Sequence, residues 1–211
     1  MIRWLFILLF GFSTSLITAQ SNDAKKRMLN MVEKLEKVPP YTCDVNINID
    51  VKFIRIKERV GKMIYRSPDD IDYNIKGFAF LPKKEMGTTS TSLFKEDFIA
   101  IDMGKENEDQ IIKVIPMDIN SEIVTGQFWI DSADLIQKMI LITKEKGSYT
   151  AEMNYSDTPF DLPSKISMSF DVKNQKMPAL LTGDLEGYTE EMDEDEVSKG
   201  TITITYSNHQ F

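Results

Sequence analysis

The sequence has few of the residues that enzymes use for nucleophilic or acid–base chemistry. Its 211 residues include one cysteine, Cys43, and one histidine, His209. A single cysteine cannot form an internal disulfide, and its place in an apolar pattern favours a buried thiol over a reactive one. The histidine is close to the end of the chain, so a Ser-His-Asp or Cys-His site would depend on a terminus that we expect to fray.

Catalytic sequence motifs are also missing. The sequence contains no GxSxG, HExxH, CxxC or phosphate-loop motif. Carboxylates are plentiful, but on the predicted strands they alternate outward, as in a solvated face. We therefore expect a protein that is not an enzyme and that uses no cofactor and no metal.

The chain has no excess of basic charge. Its formal net charge is -8, and no basic stripe exists that could release counterions from phosphates. The composition therefore argues against a nucleic-acid partner.

A hydrophobic run long enough to cross a bilayer is absent as well. Arg3 precedes a short apolar run at residues 4–10, and small and polar residues follow it as far as Gln20. This layout predicts a secretory signal peptide over residues 1–20, with a signal anchor as the alternative. No cysteine follows the predicted cleavage near Ala19 or Gln20, so we expect the remaining domain, residues 21–211, to be released without a lipid anchor.

Strict alternation of apolar and polar residues dominates the chain that follows. It extends over residues 41–53, where the apolar positions are Tyr41, Cys43, Val45, Ile47, Ile49, Val51 and Phe53. Period-two alternation predicts a long antiparallel strand with one buried and one wet face. Later segments repeat the pattern at residues 62–66, 98–103, 110–117, 122–131, 135–143, 149–155, 165–172 and 201–206. The fold class is therefore mostly β (α+β), a curved, unclosed antiparallel barrel of about ten strands.

One segment before the first strand has a helical period instead. Residues 23–38 begin with the potential cap Asp23 and end before Pro39 and Pro40. Its apolar face consists of Met28, Met31, Val32 and Leu35, followed by Val38. This helix is either a fixed cover on the sheet or a movable lid, since methionines suit both.

The shared parity of neighbouring strands predicts one continuous apolar surface. Its members are Ile47, Ile49, Val51, Phe53, Met63, Tyr65, Ile71 and Tyr73, joined by Phe78 and Phe80 past a bulge at Gly77. We expect this surface to line a ligand cavity, although an ordinary core would have the same pattern. We also predict a turn at residues 58–61. The acidic segment at about 183–197 predicts a solvated loop that could hold calcium only weakly.

The order of these segments resembles the LolA family of periplasmic lipoprotein carriers. The resemblance covers about residues 23–172 and includes the helix KKRMLNMVEKLEKV, the strand YTCDVNINIDV, the hairpin GKMIYRSPDDIDYNI and the later FWID and LIQKMILIT segments. Gly61 and Pro68 match the family's glycine-strand-proline pattern. The family has an arginine directly before that proline that helps hold the lid shut, whereas this chain has Ser67 there and Arg66 one place earlier.

The resemblance implies a monomeric periplasmic carrier. Its apolar cavity would take lipoprotein acyl chains or another lipid, and its protein partners would be an inner-membrane release complex and an outer-membrane acceptor. Two alternatives from other classes remain: a module that senses lipid or a protein tail, which would not transfer lipid, and an enzyme acting on lipid, which the scarcity of histidine and cysteine disfavours.

We predict that processing near Ala19 or Gln20 leaves a soluble, unlipidated protein. N-terminal sequencing of the secreted fraction tests the cleavage site, and cell fractionation tests solubility. A full-length chain that stays in the membrane pellet after salt and carbonate washes would contradict the prediction.

Overall fold

The computed structural model describes residues 13–51, 54–55, 58–75, 92–95, 97–144, 147–155, 159–173 and 197–211. The helices are α1 (Ser13–Glu36) and the single turn α2 (Ser92–Lys95), and Pro159–Asp161 forms a 3-10 turn. The strands are β1 (Tyr41–Val51), β2 (Ile54–Arg55), β3 (Arg59–Ser67), β4 (Asp70–Ile75), β5 (Phe98–Glu106), β6 (Asp109–Pro116), β7 (Ile123–Ile130), β8 (Ile136–Thr143), β9 (Ser148–Tyr155), β10 (Pro163–Lys173) and β11 (Val197–Gln210).

All of these strands belong to one antiparallel sheet. Ten of them follow the order β4-β3-β1-β11-β10-β9-β8-β7-β6-β5, and the short β2 pairs only with the end of β1. The outermost described strands, β4 and β5, do not pair with each other, so the sheet is unclosed. The predicted fold, an unclosed antiparallel sheet of about ten strands with an N-terminal helix, is therefore confirmed.

The last strand lies in the middle of the sheet, between β1 and β10. Its register on β1 places Ile202 opposite Ile49, Ile204 opposite Ile47 and Tyr206 opposite Val45. Because directly opposite residues point to the same face, the alternation of each strand adds to a single apolar surface. Residues of that surface and of α1 belong to one buried apolar cluster.

The first predicted strand ends earlier than its alternation suggested. β1 ends at Val51, which pairs with Ile54 of β2, and Phe53 lies outside the described residues. The predicted turn at residues 58–61 is also wrong, because Arg59 and Gly61 pair with β1 as part of β3. Glycine is common in turns, which is why the sequence predicted one here. In the structure Gly61 lies within β3, where β4 approaches too closely for a side chain.

The predicted helix differs from α1 at both ends. α1 begins at Ser13 and ends at Glu36, so Asp23 lies inside the helix and does not cap it. The helical period continues upstream of Asp23, whereas Pro39 and Pro40 exclude an extension downstream. None of the helices in the described ranges is long and apolar enough to cross a membrane.

The expected frayed C-terminus is ordered. β11 continues to Gln210, which pairs with Thr42, and the His209 ring lies 5.5 Å from the Tyr41 ring. The chain end is thus part of the sheet, because edge-to-edge pairing with β1 supplies its backbone hydrogen bonds.

Other local predictions agree with the structure. The strands predicted at residues 98–103 and 110–117 are β5 and β6, which pair with each other. Ser67 pairs with Asp70 across Pro68, as a turn there requires. The Gly77 bulge and the acidic segment at about 183–197 lie outside the described residues.

Gly61→Ala should destabilise the fold. A β-carbon there would overlap the carbonyl oxygen of Asn74 and lie 2.8 Å from Cα of Ile75, so β4 would have to shift. We expect a loss of about 1–3 kcal/mol in the free energy of unfolding, measured with urea. The matched control is Val60→Thr, at the neighbouring position, which is 66% exposed and should stay within about 0.5 kcal/mol of the parent. Equal urea midpoints for the two variants would contradict this account.

Candidate ligand-binding site

The concave side of the sheet and one face of α1 share a continuous apolar cluster. Most of the predicted wall belongs to it: Ile47, Ile49, Met63, Tyr65 and Ile71 are buried, and Tyr73 is partly buried against them. From the helix, Met28 and Met31 are buried, and Val32 and Leu35 are partly buried. The side chain of Val51 and the residues Phe53, Phe78 and Phe80 lie outside the described part of the chain.

The second half of the sheet extends this cluster. Its contributions include Phe98 and Ala100 on β5, Ile112 and Val114 on β6, and Phe128 and Ile130 on β7. The same period-two signal is present in these strands, but their sequence cannot reveal that they face α1. The resulting surface can hold an apolar group by burial, which is non-directional.

Polar contacts fasten α1 over this surface, and Arg27 is the centre of them. Its Nε donates to Asp134 Oδ1 at 2.7 Å, one terminal nitrogen donates to Gln110 Oε1 at 2.5 Å, and the other donates to the carbonyl oxygen of Asp131. The Arg27 and Asp134 side chains are only 18% and 21% exposed. A forked, partly buried guanidinium of this kind fixes position more strongly than an exposed ion pair does.

The acceptors of Arg27 are presented by the tight turn between β7 and β8. Asp131 Oδ1 accepts hydrogen bonds from the backbone nitrogens of Ala133 and Leu135 at 2.8 and 2.9 Å. This bonding shapes the turn, in which Asp134 adopts a positive φ of 57°. Short polar side chains tolerate that conformation and often close such turns. The sequence DSAD at residues 131–134 is typical of a turn, but it does not indicate that Arg27 binds there.

A second contact holds the far end of α1. The Tyr65 hydroxyl donates to the carbonyl oxygen of Leu35 at 3.0 Å, in the last turn of the helix, where carbonyls lack helical partners. Lys25 adds an exposed ion pair with Asp97 at 2.7 Å. The helix is therefore tied to β3 on one side and to the β7–β8 turn on the other.

Arg66 does not take part in this fastening. Its guanidinium bonds to Asp70 at 2.9 Å and to Asp72 at 2.8 Å, both in the strand that pairs with its own. Arg66 therefore joins β3 to β4. Among the described residues, Arg27 is the arginine that fastens α1.

Burial keeps the Cys43 thiol and the Tyr65 phenol of the concave face neutral, whereas Arg59, opposite Ile47 on the same face, has a buried Nε without a hydrogen-bond partner among the described residues. Cys43 is buried, and burial raises the pKa of its thiol to about 12. Burial likewise raises the pKa of Tyr65 to about 12. In the described part of the chain, no three histidine, cysteine, aspartate or glutamate side chains are grouped as metal ligands would be. The arrangement suits apolar contact and hydrogen bonding better than proton transfer by the thiol or the phenols.

These features define a class of protein, an unclosed antiparallel half-barrel with a helix across its apolar concave side. A LolA superfamily protein from Nitrosomonas europaea has this fold, with a TM-score of 0.54 and 10% identity over 86% of this chain and 92% of that one. A domain from Vibrio parahaemolyticus, named for outer membrane lipoprotein sorting, has the same fold. Its TM-score is 0.55, and it is 10% identical over 90% of this chain and 93% of that one.

A third solved structure is a DUF1329 family protein from Desulfovibrio piger, with a TM-score of 0.56 and 9% identity over 91% of this chain and 93% of that one. No protein-family model matches the sequence, and no curated protein matches it. The chain thus has the LolA-like fold, which confirms the structural part of the resemblance.

Arg27→Ala should loosen α1. The substitution leaves the partly buried Asp134 without its ion-pair partner, so we expect a loss of about 1–3 kcal/mol in the free energy of unfolding. Amide hydrogen exchange should become faster in α1 and at residues 131–135.

The matched control is Lys37→Ala, which removes the exposed pair with Glu33 and should change neither quantity measurably. The free energy of unfolding and the exchange rates of Arg27→Lys should lie between those of the parent and Arg27→Ala, because an ammonium cannot make the forked contact. Unchanged exchange in α1 of the alanine variant would show that apolar packing alone holds the helix.

Proposed function

We propose that this protein is a periplasmic carrier that binds acyl chains of lipoproteins, or another apolar ligand, on the concave face of its half-barrel. The observation that carries the proposal is the single apolar surface shared by α1 and the sheet. At the edge of this surface, the hydrogen bonds of Arg27 and Tyr65 hold the helix in place in addition to apolar contact. A helix fastened by few directional bonds can open without loss of the sheet.

Several further properties belong to this proposal. The leader at residues 1–20 delivers the protein to the periplasm, where it acts as a monomer. It receives its ligand from an inner-membrane release complex and passes it to an outer-membrane acceptor. It catalyses no reaction, which agrees with a concave face whose thiol and phenols are held neutral. The fold shared with proteins named for LolA and for lipoprotein sorting supports this function.

Ligand binding is the primary test. Native mass spectrometry of the mature protein should detect co-purified lipid, and titration with a fluorescent fatty acid should give saturable binding. Lipid transfer between donor and acceptor vesicles distinguishes a carrier from a lipid sensor. Saturable binding without any transfer would favour the sensor.

Ile49→Ala should separate a ligand-binding wall from an ordinary core. In a tightly packed core this truncation costs about 2–5 kcal/mol in the free energy of unfolding, whereas a wall that yields to ligand should lose less and change fatty-acid affinity. The matched control is Ile99→Ala on β5, whose side chain is 46% exposed and belongs to the opposite face. A loss of several kcal/mol at Ile49, with no saturable binding by the parent, would overturn the proposal.

A further inference from the structure

The concave face carries an arginine among apolar side chains. Arg59, the first residue of β3, lies opposite Ile47 of β1, and it has the same strand parity as Gly61, Met63 and Tyr65. Because directly opposite residues point to the same face, the Arg59 side chain lies on the face that holds the buried apolar cluster. A permanently charged guanidinium is an unusual member of such a surface, since arginine is rarely buried without a partner.

The Arg59 side chain is partly buried and lacks the contacts that the other fixed arginines make. Its Nε is buried and has no hydrogen-bond partner among the described residues. Arg27 and Arg66, in contrast, bind aspartates at 2.7 and 2.9 Å. A buried donor without a partner loses its bonds to water and gains none in return, which is unfavourable. Arg59 therefore presents a charged donor that a bound group can use.

Carboxylates at neighbouring strand positions belong to the opposite face of the sheet. Asp44 of β1 has the outward parity and lies 3.6 Å from Lys62 Nζ. Glu58 directly precedes Arg59, and its Oε1 accepts a hydrogen bond from Asn46 on the exposed side. The alternation of β1 and β3 thus keeps these carboxylates away from Arg59, and the positive charge faces apolar neighbours instead.

Arg59 and the contact that fastens the end of α1 are far apart on β3. Tyr65, which donates to the carbonyl oxygen of Leu35, follows Arg59 by six positions. At about 3.3 Å per residue, this separation is about 20 Å along the strand. Between the two, β3 presents Gly61 and Met63 to the concave face. The face therefore has a charged end and an apolar stretch beside it, which fits a molecule with an anionic head and a hydrocarbon chain.

We propose that Arg59 forms a subsite for the oxyanion of an anionic amphiphile, a carboxylate or a phosphate, whose hydrocarbon chain extends along β1 and β3 toward Tyr65. The guanidinium presents its N–H groups in a planar fork that fits the oxygens of either anion. Attraction between two partly buried charges is stronger than that of an exposed pair. This inference rests on the proposed carrier function and narrows its ligand class from apolar groups in general to hydrocarbon chains that carry a negative charge.

The test compares three ligands of equal chain length: a fatty acid, its methyl ester and an alkyl phosphate. Each competes at neutral pH with the uncharged fluorescent dye Nile red. The parent should bind at least one of the two anions more tightly than the ester. Arg59→Met should weaken binding of that anion about ten- to a hundredfold, the value of a hydrogen bond to a charged group, and leave ester binding unchanged. The anion with the larger loss identifies the head group as a carboxylate or a phosphate.

The matched control is Lys62→Met, which removes the same charge from the opposite face of the same strand, where the Lys62 side chain is 64% exposed. It should leave the affinity for all three ligands unchanged, because an exposed charge is screened by solvent and salt. Arg59→Lys should bind the anion with an affinity between those of the parent and Arg59→Met, since an ammonium keeps the charge without the fork. This variant provides the same comparison if the methionine variant folds poorly.

Stability of the ligand-free protein provides an independent measurement. Arg59→Met should keep or raise the urea midpoint, because its buried Nε has no partner to lose among the described residues. A lower midpoint with unchanged anion affinity would show that Arg59 only supports the fold. That result, or equal losses for the anions and the ester, would overturn the subsite and leave the carrier function standing. Absence of binding of all three ligands to the parent would overturn the carrier function and the subsite together.

Discussion

The pairing of β1 with β11 is the contact on which the rest of the structure depends. It joins the first long strand of the chain to the last, and all other strands follow outward from this pair in two groups, β3 and β4 on one side and β10 to β5 on the other. Without it the sheet would separate into two parts, neither of which has the full concave face. Because the partners are far apart in sequence, closing this contact is entropically expensive, and strand order must be secured by many side chains. Ile47 and Ile204 are directly opposite each other on the two strands, and both are buried. A register shift of one residue would expose one of them to solvent, so such pairs fix the register.

The helix over that sheet is held by two kinds of interaction with different consequences. Contacts of Met28 and Met31 with the sheet are buried but non-directional, so the helix could slide or rotate with little change in apolar area. The bonds of Arg27 to the β7–β8 turn and of Tyr65 to Leu35 are directional, and they determine where the helix rests. When the helix moves away from the sheet, apolar contacts can be exchanged for similar ones, but the directional bonds must be broken. The free energy of opening is therefore concentrated at the rim, where Arg27 lies.

The local part of this architecture could be predicted from the sequence, and the long-range part could not. Alternation is a property of a single strand, so it correctly assigned Ile47, Ile49 and Met63 to the buried face. It also suggested a strand continuing to Phe53, whereas β1 ends at Val51, which pairs with Ile54. Gly61 has the residue type of a turn, and only the proximity of Ile75 explains its place within a strand. Arg27 resembled any charged residue on the exposed side of an amphipathic helix, since its acceptors lie about a hundred residues away along the chain.

The concave face combines a large apolar area with a few hydroxyls whose state does not change with ordinary pH. Burial raises the pKa of Tyr206 well above its usual value and that of Cys43 to about 12, so both remain protonated from acidic to mildly alkaline conditions. A donor that does not ionise in this range provides hydrogen bonding without charge. The ion pair of Arg27 with Asp134 joins the helix to the β7–β8 turn and not to the hydroxyls of this face.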